Sequence, residues 1–343
     1  MECQYSGKYS PLAIEELGMN LPRATMLLIS YNQEAYIEQA LQGAIEQDYI
    51  NLEIVISDDA STDLTFSKIQ TFFANYNGPH KIVVNRNEKN SGVTGNLNKA
   101  ISLSSGEMFF IAAGDDISLS NRVSLVMDFW VKNNKKFELI TSNVIDMSVD
   151  GVDCSEIYVS DLALFQSLDD WILSPPKLIG AGQAWTRQLF DYFGGLPNGA
   201  VGEDLIMAFR AVAISRAASM SCNPLVRYRR GGLTSQRKST SANQLIHRMQ
   251  QKNSNGLIEM TTLLNDAIFI GTASEKVISF LRHKLDREKY VKNMFNSEKK
   301  MGLFLSSHEV DFSFRFRIFI YAYCPWILAP VFLIKKFKYR SIL

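Results

Sequence analysis

The feature that most constrains this chain is an alternation, repeated from residue 25 to 113, of a short apolar run, a polar loop and a helix-spaced segment. Thr25–Ile29 leads into Tyr31-Asn32-Gln33-Glu34. Tyr36, Ile37, Ala40, Leu41, Ala44 and Ile45 then recur at helical spacing, which predicts a strand, a loop and an amphipathic helix. Glu53–Ser57 opens the second round, with Asp58–Asp63 as loop and cap and a helix to about Tyr76. Lys81–Asn85 is the third strand, and Met108–Ala113 the fourth. Between them the polar Asn90–Asn96 leads into a helix with Leu97, Ala100, Ile101 and Leu103 inward, which Gly106 is expected to cap. The strand runs are continuously apolar, without in-out alternation, so they predict a mostly parallel sheet covered by helices on both faces. Ligands in such sheets bind at the carboxyl ends of the strands.

The pattern continues with a helix over Leu119–Asn134, a strand over Glu138–Ser142, a variable stretch from Asp146 to Pro176, a strand over Ala181–Thr186 and a helix from Glu203 to about Ala217. After Arg227–Gly232 the sheet pattern ends, and helical periodicity runs from about Ala242 to Lys300. With 343 residues, 46% of them hydrophobic, the chain can bury a large core, which excludes a disordered, collagenous or disulfide-stapled protein. Charge is divided along it: residues 1–275 hold 22 Lys+Arg against 30 Asp+Glu, residues 276–343 hold 14 against 5. An acidic body thus carries a basic end. Cys3, Cys154, Cys222 and Cys324 are far apart and form no CxxC pair, as expected in a reducing compartment. The first 24 residues contain Glu2, Glu15 and Glu16 and no continuous apolar run, so a cytoplasmic body is expected.

Three acidic pairs stand where such a sheet binds its ligands: Asp58-Asp59, Asp115-Asp116 and Glu203-Asp204. Singly, each reads as a turn or a helix cap. Asp115-Asp116 directly follows the apolar Phe109–Ala113 and Gly114, with no cation nearby in sequence. Two carboxylates so placed suit Mg²⁺ or Mn²⁺, which can also bind a substrate diphosphate.

Ser30-Tyr31-Asn32, Val55–Asp63, Asn90-Ser91-Gly92, Gly114-Asp115-Asp116 and Gly202-Glu203-Asp204 occur in this order. Together they resemble a family 2 glycosyltransferase with the GT-A fold, of the type that builds bacterial surface polysaccharides, over roughly Arg23 to Ser235. The resemblance implies an enzyme that binds a nucleotide diphospho-sugar, with a UDP-sugar favoured. Tyr31 is similar to the residue beside the nucleobase, and Asp59, with Asp58 its neighbour, to the aspartate that hydrogen-bonds the base. Ser30 and Asn32 belong to the first of these motifs, and Asn96 and Lys99 to the segment bordering the nucleotide. Asp115 and Asp116 match the family's DxD-type element, one carboxylate toward the ribose and the other toward the metal. Ala113 stands two positions before Asp115, where an acidic residue is commonest, which puts metal ligation mostly on Asp116. Asp204 resembles the catalytic base, which in an inverting transfer deprotonates the acceptor hydroxyl as it attacks. Glu203 and Trp185 are expected on the acceptor side, Trp185 as pocket wall or as core. Tyr228–Ser235 resembles the segment that closes over the diphosphate, where Arg229 or Arg230 would bind phosphate oxygens. The segment lacks the histidine many relatives place near Gly231, and no QxxRW signature is apparent, which favours addition of a single sugar.

Ile318–Ile334 is seventeen residues without a charge, flanked by Arg315 and Arg317 and by Lys335, Lys336 and Lys338. It is short for a spanning helix, contains Pro325 and Pro330 and is rich in aromatics, so it predicts an anchor lying in the membrane interface. A helix packed on the body is the alternative. The expected organisation is an extension over 1–22, the catalytic domain over 23–238, a helical extension over 239–310 and a membrane-associating tail over 311–343. Location at the inner membrane face suits a saccharide acceptor attached to a lipid. The rival readings are an inactive, membrane-associated scaffold and a nucleotidyltransferase; the loop after the first strand lacks the Gly-rich, basic character of the latter. No nucleic-acid module is present, so nucleic acid is not an expected partner.

Overall fold

The computed structural model describes residues 21–220, 224–230 and 241–328. The chain divides into two compact units, Met1–Thr234 and Ser235–Leu343. The sequence set its divisions at 238/239 and 310/311. Residues 1–20, 231–240 and 329–343, which include most of the extension, the Gly231–Ser235 end of the arginine segment and the lysine-rich end of the tail, lie outside the described residues.

In the first unit β1 (Ala24–Ser30), α1 (Ile37–Ile45), β2 (Leu52–Asp58), α2 (Thr65–Phe73), β3 (Lys81–Arg86), α3 (Gly92–Ser102) and β4 (Met108–Ala113) follow the predicted alternation. Then come β5 (Ile117–Ser118), α4 (Arg122–Lys132), β6 (Leu139–Ser142), β7 (Val144–Met147), β8 (Asp153–Ile157), α5 (Leu168–Leu173), β9 (Gln183–Thr186), α6 (Arg187–Tyr192), α7 (Glu203–Ala213), β10 (Ala217–Met220) and β11 (Val226–Arg229). Seven strands form the main sheet in the order β10-β6-β9-β4-β1-β2-β3, parallel except β9, which runs antiparallel to both its neighbours. β1 and β2 are buried along nearly their whole length, because helices cover both faces of the sheet centre. A second sheet, β5-β11-β7-β8, is built from segments the sequence left as variable stretch or loop. These strands are short and partly exposed, so they carry no apolar run for periodicity to find.

Gly106 does not cap the helix as expected. α3 ends at Ser102 with Leu103 as its cap, and Gly106 packs under β1, where an added Cβ would lie 2.3 Å from Thr25 Oγ1 and 2.7 Å from Thr25 N. The glycine is there for close approach of two backbone segments, not for a left-handed turn. Beside it, the buried Glu53 carboxylate accepts from Thr25 Oγ1 at 2.7 Å, Ser105 Oγ at 2.9 Å, Gly106 N at 3.1 Å and the Ser105 N–H, locking the amino ends of β1, β2 and β4 together.

The second unit consists of α8 (Ala242–Ile270), α9 (Glu275–Asn296), α10 (Lys300–Ser306) and α11 (Phe312–Tyr323), closed by a one-turn helix over Pro325–Leu328. Ser241 and Ser274 cap α8 and α9 through their hydroxyls, and Gly271, at φ 73°, ends α8 in the left-handed conformation that favours glycine. Tyr290, Val291, Met294, Val310, Ile318 and Phe319 form its core. Among the described residues, no helix is long and apolar enough to cross a membrane. Of the segment expected as an interfacial anchor, Ile318 and Phe319 are buried, and Trp326 and Tyr323 are exposed.

Candidate functional site

The loops after β1 and β2 are fastened to each other. Asp59 N donates to Ser30 O (2.9 Å), Asn32 N to Ser61 Oγ (2.9 Å), Thr62 N to Asn32 Oδ1 (2.8 Å) and Gln33 N to Thr65 Oγ1 (2.7 Å). These bonds hold Asn32 at φ 52° and Ala60 at φ 59°, a region that L-residues other than Asn and Asp seldom adopt. Tyr31 follows β1 in this loop with 41% of its surface exposed.

Asp58 and Asp59 are both buried, and their carboxylates are used within the protein. Asp58 accepts from Ser61 N at 2.9 Å and from the Ser61 and Ser30 hydroxyls, with Arg86 Nε at 3.7 Å. Asp59 accepts from Asn87 Nδ2 (2.8 Å), Ser91 N (2.9 Å), Ser91 Oγ (2.8 Å) and Gly92 N (2.9 Å), so it ties the start of α3 to the sheet edge. Asn96, expected beside the nucleotide, is buried in the same network: it accepts from Ser57 Oγ at 2.6 Å and donates to Ser57 O at 2.9 Å. That is a positioning contact within the fold, whereas Lys99 on the same helix is exposed.

Asp115 and Asp116 lie just beyond the carboxyl end of β4, where β5 turns out to pair with β11. That pairing lays Arg229 across the acidic pair. Its N–H donates to Asp116 Oδ1 (2.8 Å) and its Nε to Asp115 O (2.9 Å). The rest of the guanidinium donates to Val149 O (2.8 Å) and Gln39 Oε1 (2.6 Å), with Tyr36 stacked 4.5 Å away. Arg229, expected on the phosphate, is 3% exposed, and these partners make its guanidinium a buried clamp on the acidic turn. Arg230 grips Asp146 of β7 in a two-pronged ion pair, so it too is engaged.

The expectation that nothing neutralises Asp115-Asp116 holds along the chain and fails in space. Arg122, the first residue of α4, is buried, its charge acts on Asp116, and its guanidinium donates to Ser118 Oγ (2.9 Å), Ile111 O (3.0 Å) and Gln183 O (3.0 Å). Even so, burial and the Asp115 charge push Asp116 up to about 8, against the Arg229 N–H and the Arg122 and Arg229 charges. Burial raises Asp115 as well, opposed by its own backbone, Arg229 and a Gln33 hydrogen bond. A pair that resists full ionisation fits a hard dication, which would favour both carboxylates. Asp116 is 6% exposed with one oxygen already taken by the Arg229 N–H, whereas Asp115 is partly exposed. Among the described residues there is no group of three His, Cys, Asp or Glu that could hold a metal unaided, so these two would need oxygens from solvent or substrate.

Asp204 lies in the first turn of α7, with Leu205 N donating to its Oδ1 at 2.7 Å. An added Cβ at Gly180 would come within 3.3 Å of its other oxygen, so the absence of a side chain there leaves that oxygen room. Burial raises Asp204 above the ordinary carboxylate range, against backbone hydrogen bonds from Leu205, its own N–H and Gly180. Glu203 beside it is partly exposed. Because β9 runs antiparallel to β4, its first residue, Gln183, comes out at the carboxyl end of β4. Gln183 takes Arg122 on its carbonyl, donates to Asp204 O at 3.3 Å and accepts from Trp185 Nε1 at 2.8 Å. Gln183 thus connects the buried Arg122 to the backbone of Asp204, and neither residue was singled out by the sequence. Their types and positions in helix and strand gave no signal. Trp185, placed by the sequence on the acceptor side or in the core, is 0% exposed: it is core, and reaches the site only through Gln183.

The model of the family described as "Glycosyl transferase family 2" matches residues 25–152. A glucosyltransferase of Escherichia coli, "UDP-Glc:alpha-D-GlcNAc-diphosphoundecaprenol beta-1,3-glucosyltransferase WfgD", is 29% identical over 126 residues, 35% of this chain and 48% of that protein. A Campylobacter jejuni "GalNAc(5)-diNAcBac-PP-undecaprenol beta-1,3-glucosyltransferase" is 30% identical over 125 residues, 36% of this chain and 39% of that protein. The chain thus spans less than half the length of the curated relatives it matches. Among solved structures, Staphylococcus aureus TarS 1–349 in complex with UDP-GlcNAc superposes with a TM-score of 0.52 at 18% identity, covering 88% of this chain and 89% of that one. That likeness concerns the fold, which is of the GT-A type.

Proposed function

We propose that this chain, whose residues 25–152 match the model of glycosyl transferase family 2, transfers one sugar, with inversion, from a nucleotide diphospho-sugar to a hydroxyl of a lipid-linked saccharide in surface polysaccharide or glycolipid synthesis. The observation that carries this reading is the placement of Asp115-Asp116 just beyond the carboxyl end of β4 and of Asp204 in the first turn of α7, whose backbone carbonyl takes the side chain of Gln183 from β9, the strand beside β4. It supports a donor on Asp115-Asp116 and a base facing it. Tyr31 would stack on the base, uracil being favoured, while Ser30, Asn32, Asp58, Asp59 and Asn96 hold the loops that shape its pocket. Asp115 and Asp116 would hold Mn²⁺ or Mg²⁺, which when bound neutralises charge on the departing nucleoside diphosphate. Asp204 would accept the proton of the acceptor hydroxyl, and its raised affinity for a proton suits a general base. Glu203 would face the acceptor. Named relatives that use diphosphoundecaprenol-linked saccharides support the lipid-linked acceptor, and the basic, aromatic end of the chain supports binding at the inner face of a membrane.

The test is nucleotide release from a panel of nucleotide-sugars, with Mn²⁺, Mg²⁺ or EDTA and with membrane lipid extract as acceptor source. Turnover of one donor, abolished by EDTA and reduced about 10²–10⁴-fold in Asp204→Asn, is the expected result. A donor turned over equally by wild type and Asp204→Asn would remove the base assignment, and no turnover of any donor would remove the transferase reading.

A further inference from the structure

The helical unit holds a cavity of about 340 Å³ between α8, α9 and α11. Val291, Phe314 and Ile318 make its wall apolar, and Lys252 and Arg317 line it with positive charge. The guanidinium carbon of Arg317 stands 5.3 Å from the centre of the Phe314 ring, and that of Arg287, on α9, covers the same ring at 4.1 Å. Two guanidinium groups on one ring repel each other, and the ring's attraction for each only partly offsets this. Among the described residues no carboxylate lies in ion-pair range of Lys252, Arg287 or Arg317; His283–Asp311 and Lys289–Asp286 pair with each other instead. The cavity's own carboxylate, Glu288, is drawn onto α8: the buried Asn253 amide donates to its Oε2 at 2.5 Å and to its carbonyl at 2.8 Å. Gly256 makes room for this, since a Cβ there would lie 3.1 Å from the Glu288 carboxyl carbon. Two lining cations, Lys252 and Arg317, against one engaged carboxylate leave a surplus of positive charge beside an apolar wall.

We propose that this cavity binds the phosphate end of an amphiphile, a mono- or diphosphate joined to a hydrocarbon chain. Lys252 and Arg317 supply charge-assisted donors to the phosphate oxygens, and Val291, Phe314 and Ile318 take the first carbons of the chain. The choice of an amphiphile over a free anion rests on the reading of the acceptor as lipid-linked; the surplus charge does not. The site belongs to the helical unit, not to the sheet that carries Asp115, Asp116 and Asp204.

The full chain is titrated calorimetrically with farnesyl diphosphate, inorganic diphosphate and farnesol, in EDTA and without any sugar donor, so that neither metal nor turnover enters. Farnesyl diphosphate is expected to bind one to one, about tenfold or more tighter than inorganic diphosphate or farnesol. Lys252→Gln combined with Arg317→Gln is expected to weaken it by about tenfold or more, and Arg282→Gln, on α9 but outside this cavity, to leave it unchanged. If the double variant has no cooperative thermal transition, Lys252→Gln at an exposed position takes its place, with a smaller loss expected. Inorganic diphosphate binding as tightly as farnesyl diphosphate, or variants binding like wild type, would overturn the proposal and leave the transferase reading standing, because nucleotide release is measured separately.

Discussion

Asp204 shows most directly how surroundings set a residue's chemistry. An ordinary aspartate loses its proton near pH 4, but burial holds this one higher. A base must be ionised to work, so activity rises with pH through the raised value. The acid limb of kcat/KM for the acceptor is therefore expected above the usual carboxylate range; a limb at about pH 4 would place the base elsewhere. Trp185 separates packing from chemistry. Trp185→Ala removes a 0% exposed indole and is expected to cost about 3–5 kcal/mol in urea unfolding. Trp185→Phe keeps most of the bulk and loses the bond to Gln183 Oε1, so it should lower kcat more than it raises the acceptor KM. A large rise in acceptor KM alone would restore Trp185 to the sugar pocket.

At the scale of elements, the amino ends of β1, β2 and β4 depend on Glu53. Burial alone would raise this carboxyl, but hydrogen bonds from the Ser105 N–H, Thr25, Ser105 Oγ and Lys81 outweigh it and hold its pKa below the ordinary value. A depressed carboxyl contributes stability that is present above its unfolded pKa, about 4.3, and lost as pH falls through the folded value. Urea unfolding followed downward from pH 7 should therefore show wild type losing stability in that acid window, with Glu53→Gln less stable at pH 7 and flatter below it. Parallel curves for the two proteins would count against this. Gly106→Ala forces a Cβ onto Thr25 backbone and side chain, and a loss of about 1–3 kcal/mol is expected by the same measurement. The four-stranded sheet is the element sequence reading missed, and it matters because β11 is what carries Arg229 to Asp115-Asp116.

For the whole molecule, the charge division is the governing feature: residues 276–343 hold 14 Lys+Arg against 5 Asp+Glu, while the remainder is acidic. Binding to vesicles containing phosphatidylglycerol is expected to exceed binding to neutral phosphatidylcholine vesicles in a flotation assay. It should weaken as salt rises and the Debye length falls to about 3 Å at 1 M. Equal binding to both vesicle types would leave the basic end without a role at the membrane. Exposed Phe312, Phe316, Tyr323 and Trp326 lie on or just after α11, and aromatic residues of this kind favour the interface.

What the sequence by itself determined is the part governed by local rules. Apolar runs of strand length followed by helix-spaced segments specified β1 to β4 and their helices, and the ordered motifs located the acidic pairs at element ends: Asp58-Asp59 at the end of β2, Asp115-Asp116 just past β4 and Glu203-Asp204 at the start of α7. Period and turn chemistry act over a few residues, so a single chain displays them. What only the tertiary structure decided is which groups meet. Arg229 reaches Asp115-Asp116 across more than a hundred residues, and Arg122 meets Gln183 across 61. Asp59 and Asn96, expected beside the nucleotide, also hold the fold together, since each is buried with internal hydrogen-bond partners. Hydrogen-bond satisfaction and desolvation are properties of three-dimensional surroundings, and no spacing along a chain records them.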